Sequence, residues 1–202
     1  MKVNNILYLT DSYLYLRRAK NTEIIKETIP KHLVKEGKIT SINKFLKFYE
    51  KLLTKNNLNR SLFGENIKII VGPNYSNADI STLKNLFIQL NYRKIVIEIE
   101  SKYYKLNQKN AILNVFDSYA YLTYIDDFKE QKTITISNNM FKNNQDLMAY
   151  IKYIIEDKTL YLLGYGEVIN DIFNHFENRF MNETYLYFNH DIYLISQVKM
   201  AK

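Results

Sequence analysis

Apolar and polar positions along this chain fall into a block order that occurs twice. Asn4–Leu16 reads NNILYLTDSYLYL and Asn110–Leu122 reads NAILNVFDSYAYL. Asp117 lies 106 positions after Asp11, and at that offset Asn, Ile, Leu, Asp, Ser, Tyr, Tyr and Leu recur. Each copy is an apolar run, then Asp-Ser, then an alternating aromatic and aliphatic run, which predicts a hairpin with a two-residue turn. True duplication requires the elements after each hairpin to recur in the same order.

After the first hairpin, Asn21–Thr28 predicts a short strand that Pro30 ends, because proline cannot continue a ladder. Gly37 and Ile39 come next, and Thr40 or Ser41 caps a helix through about Leu53 with Ile42, Phe45, Leu46, Tyr49, Leu52 and Leu53 at helical spacing. Asn56–Glu65 reads as a loop. Ile67–Val71 is nearly all apolar, the signature of a strand buried on both faces. Gly72-Pro73-Asn74 leads to a helix from about Ala78 to Leu90, Asn91-Tyr92 breaks it, and Lys94–Ile99 is another strand. Ser101–Leu106 has the length of one helical turn.

The second copy restarts the same order. Ala111–Val115 and Tyr119–Ile125 form the hairpin, Lys132–Ser137 a third strand, and Asn143 or Asn144 caps a helix to about Ile155. Thr159–Leu163 is a buried-type strand running into Gly164-Tyr165-Gly166, with a helix expected from Glu167 to Phe176. Tyr185–Phe188 is a last strand, and Ile192–Ile195 a terminal strand or helical turn. Strands alternating with helices predict an α/β protein with two mixed sheets, one in residues 1–101 and one in residues 102–202.

Composition narrows the function classes. The 202 residues include no Cys, which excludes a disulfide scaffold and thiolate metal sites and suits a reducing cytoplasm. No secretory-signal pattern opens the sequence, and no apolar run reaches the ~20 residues of a membrane span. The net charge of +7 permits an acidic partner, but its Lys residues are scattered among Asn, Ile and Tyr rather than clustered. His32, His175 and His190 lack ligand spacing, and nucleophile-elbow, Walker, dinucleotide and zinc-protease motifs are absent from the sequence.

The duplicated order resembles the actin-like ATPase fold, a duplicated ribonuclease H-like core that includes actin, heat-shock ATPase domains, sugar kinases and the bacterial proteins MreB, ParM and FtsA. Ile29–Leu53 and Ile67–Glu100 are similar in order to bacterial-actin segments. The resemblance implies phosphate loops at Asp11 with Ser12 and at Asp117 with Ser118, and an adenosine loop at Gly164-Tyr165-Gly166-Glu167. Glu98 or Glu100 stands where a water-positioning residue would be.

The departures are specific. A phosphate loop needs bare backbone close to the ligand, yet Tyr13 and Tyr119 stand where the family has Gly, and neither hairpin contains any. The chain is short for the subdomains that larger members insert, so the expected molecule is a reduced core with a degraded ATP site.

Asp11 and Asp117 fit metal-coordinating carboxylates or simple turn residues. Gly164 and Gly166 fit a nucleotide approach or a close strand-to-helix turn. The Tyr stripe fits base stacking or sheet packing.

The implied function is an actin-like adaptor or filament component of cell division or the cytoskeleton, closest in style to FtsA or MreB. Its expected cofactor is none or weakly bound Mg-ATP. Its expected partners are division or cytoskeletal proteins or its own copies, in the cytoplasm or held at the inner membrane face through a partner. The alternative is a basic nucleic-acid-binding module that uses Tyr and Lys on a sheet surface.

Overall fold

A computed structural model describes residues 5–10, 12–18, 24–58, 64–104, 106–116, 119–137, 140, 144–164 and 186–189. The chain divides between Lys102 and Tyr103 into two compact units.

The first unit contains β1 (Asn5–Leu9), β2 (Tyr13–Arg18), β3 (Ile24–Thr28), a small ribbon of β4 (Val34–Lys35) and β5 (Lys38–Ile39), α1 (Ile42–Lys55), β6 (Glu65–Val71), α2 (Asn77–Gln89) and β7 (Tyr92–Ile99). Its sheet runs β3-β2-β1-β6-β7. β2 is antiparallel to both β1 and β3, while β6 lies parallel to both β1 and β7. As its composition requires, β6 sits between two neighbours, with Ile67, Ile69, Ile70 and Val71 all buried.

Strand alternation decides what each face carries. Leu7, Leu9, Leu14, Leu16, Ile67, Ile69 and Val71 join one core with Phe45, Tyr49 and Leu52 of α1 and with Leu83, Leu86 and Phe87 of α2. Aromatic packing orders that core: Phe87 meets Tyr49 edge-on at 5.4 Å, and the Tyr49 and Tyr92 hydroxyls bond at 2.8 Å. Residues of the opposite parity, Ile6, Tyr8, Tyr15 and Ile70, are equally buried.

The second unit contains β8 (Asn110–Val115), β9 (Tyr119–Ile125), β10 (Gln131–Ser137), α3 (Asn144–Ile155), β11 (Thr159–Gly164) and β12 (Leu186–Asn189). Its sheet runs β10-β9-β8-β11-β12, with the same antiparallel and parallel senses as the first. Register matches as well as order. In the first hairpin Leu7 faces Leu16 and Leu9 faces Leu14. In the second Leu113 faces Leu122 and Val115 faces Ala120, the same pairs moved by 106 positions. A one-residue slip would turn every side chain to the wrong face, so both copies preserve the same division between core and opposite face. Leu113, Leu122, Leu147, Ile151 and Leu162 form the second helix-backed core.

Some local expectations change. Tyr92 opens β7 rather than ending the preceding helix, because Asn91 takes the left-handed turn at φ 61° and Tyr92 then joins the core. The β4–β5 ribbon was not legible from the pattern. It turns on Glu36 (φ 52°) and Gly37 (φ 76°), the paired left-handed residues of a tight hairpin. The helical turn expected at Ser101–Leu106 is a 3-10 turn over Glu100–Tyr103. Asn143, the helix at Glu167–Phe176 and the segment Ile192–Ile195 lie outside the described residues.

Candidate functional site

In open α/β sheets ligands bind beyond the carboxyl ends of parallel strands, and that edge of each unit is where the chemistry-bearing positions collect. In the first unit Tyr8 of β1 pairs across to Ile70 of β6, and Ile70 to Glu98 of β7. Two residues beyond that row lie Thr10, Gly72 and Glu100.

Thr10 closes the first hairpin from both directions. Its N–H donates to the Tyr13 carbonyl at 3.0 Å, and its Oγ1 donates to the same oxygen at 2.9 Å. The Tyr13 N–H in turn donates to Thr10 Oγ1 at 2.9 Å. The Ser12 carbonyl accepts from Ile29 N–H at 2.8 Å, tying the turn to the end of β3. In the second unit the Phe116 N–H donates to the Tyr119 carbonyl at 2.8 Å, the same closure 106 positions on. Only two residues separate the closing pair in each hairpin.

Tyrosine comes directly after both turns. Tyr13 is half-buried beneath the Lys26 ammonium, 4.1 Å from the ring centroid. Tyr119 is buried, with Phe116 stacked at 4.8 Å and Tyr121 at 5.0 Å. Of the Tyr stripe, Tyr8, Tyr15, Tyr119 and Tyr121 are buried and pack the sheets, while Tyr13 and Tyr124 are half-buried.

Gly164 ends β11 with Val115 as its neighbour on one side and Asn189 on the other. The structure therefore sets Gly164 beside the residue that precedes the Phe116 turn. Asp11, Asp117, Ser118, Gly166 and Glu167 lie outside the described residues, as do His175 and His190. His32 is exposed. Among the described residues no cluster of three or more His, Asp or Glu has metal-binding proximity.

Of the two glutamates singled out by sequence, Glu98 pairs with Lys68 at 2.8 Å. Glu100 is fully buried and accepts a hydrogen bond from the Tyr8 hydroxyl at 2.6 Å. A buried carboxylate needs such donors, and this one stands at the carboxyl edge of the sheet. The matching position to Tyr8 in the second unit is Asn114, whose amide donates to the buried Tyr104 hydroxyl at 3.1 Å.

A second constellation escaped the sequence reading. Gly72–Ser76 links β6 to α2 and grips the ribbon turn: Asn74 Nδ2 donates to the Glu36 carbonyl at 2.7 Å and the Tyr75 hydroxyl to the Gly37 carbonyl at 2.6 Å. Burial, with the Asp79 charge adding to it, pushes the Tyr75 phenol well above its ordinary range. Ser76 and Asp79 form a capping box at the start of α2, and Lys38 reaches Asp79 at 2.8 Å. The Ser-x-x-Asp spacing was the legible signal for the cap. Beside it, Lys38, Ile39, Ile42, Tyr75, Asp79, Thr82, Leu83 and Leu86 line an open groove.

The hydrogen bond from Lys38, then those from Ser76, hold the Asp79 carboxyl down at about 2. A lowered folded-state pKa stabilises above the ordinary value of 3.8 and is lost as pH falls toward about 2. Asp79→Asn should therefore cost about 0.5–2 kcal/mol at neutral pH through the cap. The difference from the unsubstituted chain should shrink in urea melts taken through that acid window. A difference that stays constant with pH would remove the carboxylate from the account.

Compared with known proteins, no family model and no curated protein matches the sequence. Solved structures do. MreB5 of Spiroplasma citri bound to AMPPNP superposes with a TM-score of 0.64 at 10% identity, over 98% of this chain and 95% of that one. The ethanolamine utilization protein EutJ from Carboxydothermus hydrogenoformans gives 0.62 at 10% identity, over 96% and 87%. This chain has the actin-like ATPase fold. A Bacteroides thetaiotaomicron protein described as having that fold and unknown function gives 0.57 at 9% identity, over 98% and 97%. In the actin-like frame the two hairpins open equivalent sheets, and Glu100 directly follows β7, the edge strand of the first.

Proposed function

We infer that this actin-like protein works by association rather than turnover, as a cytoskeletal or cell-division adaptor or filament component that binds Mg-ATP weakly or not at all. One observation carries the reading. A phosphate cradle is built from unoccupied backbone N–H groups around glycine, whereas here the hairpin amides of Thr10, Tyr13 and Phe116 bond within their own turns. The neighbouring aromatic rings occupy the space beside those turns. MreB5 of Spiroplasma citri is bound to AMPPNP in one structure and to ADP in another, so the fold accommodates nucleotide when its loops allow. Partners would be proteins of the division or cytoskeletal machinery, or further copies of the chain. No helix among the described residues is long and apolar enough to cross a membrane.

Calorimetric titration of the full chain with Mg-ATP tests the reading. The expected result is no saturable heat at micromolar concentrations. A micromolar affinity, about −8 kcal/mol, that disappears in Asp117→Ala would overturn it.

A further inference from the structure

Charge on α1 is arranged unlike that on the other described α-helices. Asp79 and Lys84 balance on α2, as Asp146 and Lys152 do on α3. Against this, α1 carries Lys44, Lys47, Lys51 and Lys55 with Glu50 as its one acid. At 3.6 residues per turn the four lysines fall within about 80° of arc and run about 16 Å along the helix. All four are exposed, on the side away from the buried Phe45, Tyr49, Leu52 and Leu53. Lysines that are scattered in the sequence are aligned by this helix.

The row works against the helix that carries it. Lys44 stands in the first turn, which holds no acid and where the helix dipole disfavours a cation. Each lysine has a like charge three or four residues away, which destabilises a helix. Glu27 holds Lys55 at 2.9 Å. Among the described residues no ion pair or hydrogen bond engages the ammonium of Lys44, Lys47 or Lys51. Glu50 falls to one side of the row. Unpaired cations gathered at a cost in helix stability are suited to an external anion.

What surrounds the row selects that anion. A helix that binds membrane inserts apolar side chains, but those of α1 join the core, and the exposed Ile42 lies half a turn round from Lys51. Protein interfaces are depleted in lysine. The ring beside the row, Phe48, is half-buried against Phe45 at 6.0 Å, so single-strand stacking has no platform there. A straight row of cations without exposed apolar neighbours matches a regular polyanion. B-form DNA carries its phosphates along a groove about as wide as a helix, whereas the A-form RNA groove is too narrow.

We propose that the Lys44, Lys47 and Lys51 face of α1 binds the phosphate backbone of double-stranded DNA without reading its sequence. Backbone contacts fix position and carry no sequence information. The surface is a helix face rather than a sheet, and it needs neither nucleotide nor the association described above.

Fluorescence anisotropy of a short labelled DNA duplex of mixed sequence, titrated with the full chain over a salt series, tests this. Three phosphate contacts should give saturable binding that weakens about 40-fold between about 50 and 200 mM salt. Lys44→Gln, Lys47→Gln and Lys51→Gln should each lower the steepness of that salt dependence by about one contact. Lys47→Glu combined with Lys51→Glu should abolish binding. All of these should keep the parent thermal melt, because each removes a like-charge contact from an exposed face. Lys84→Gln on α2 removes the same charge from an exposed position and should leave the salt dependence unchanged. No saturable binding at the lower salt would overturn the proposal. So would a loss in Lys84→Gln equal to that of the row variants, or tighter binding to duplex RNA or to vesicles of equal parts phosphatidylglycerol and phosphatidylcholine. The Mg-ATP titration bears on the association reading alone.

Discussion

Leu7→Ala should destabilise the first unit by about 2–5 kcal/mol, and Leu113→Ala the second by a similar amount. Both side chains are fully buried, and each faces a leucine directly across its hairpin, Leu16 and Leu122. The positions differ by 106, so the two substitutions are one experiment done twice in a duplicated frame. The helix-backed cores they join share no residue. Hydrogen exchange resolved along the chain is the suitable measurement, since local and global opening report separately. Leu7→Ala should accelerate exchange in β1, β2 and β6 more than in β8, β9 and β11, and Leu113→Ala should reverse that pattern. Equal acceleration everywhere would mean that the chain opens as a single cooperative body. The shared hairpin register would then describe ancestry without describing how stability is partitioned.

The hairpins were legible because period-2 alternation and an Asp-Ser turn are local signals that burial reinforces. Leu7 and Leu113 had to face inward, and register came with that. Likewise β6 announced itself by an apolar run that only a central strand can hide. Long-range choices were less legible. Tyr92 carries its strand inward because its hydroxyl meets Tyr49, a partner 43 positions away. The ribbon at Val34–Ile39 is too short to show a period, and its turn is pinned by Asn74 and Tyr75 from beyond α1 and β6. The same holds for the candidate site. Tyr13 and Tyr119 were visible as departures from glycine, since a missing glycine is read from one letter. The closure of each turn by its own backbone depends on geometry, and so does the burial of Glu100 against a tyrosine 92 positions away.

That last contact also predicts the second large effect. Tyr8→Phe keeps the ring that stacks on Tyr15 at 5.9 Å and removes only the hydroxyl that donates to Glu100. Leaving a buried hydrogen-bond partner unsatisfied costs about 1–3 kcal/mol, so the single substitution should cost on that order. Glu100→Gln keeps the shape and an acceptor but replaces the carboxyl group. The informative quantity is the coupling in the cycle of Tyr8→Phe, Glu100→Gln and the double substitution, measured by urea unfolding. Residues that merely share a core couple weakly, whereas members of one hydrogen-bonded pair couple by about 0.5–3 kcal/mol. The value expected here is in the upper part of that range, because both partners are fully buried. A chain that had kept Glu100 chiefly for chemistry would tolerate its loss in stability and show small coupling. Strong coupling says that the carboxylate now holds β1 to the end of β7.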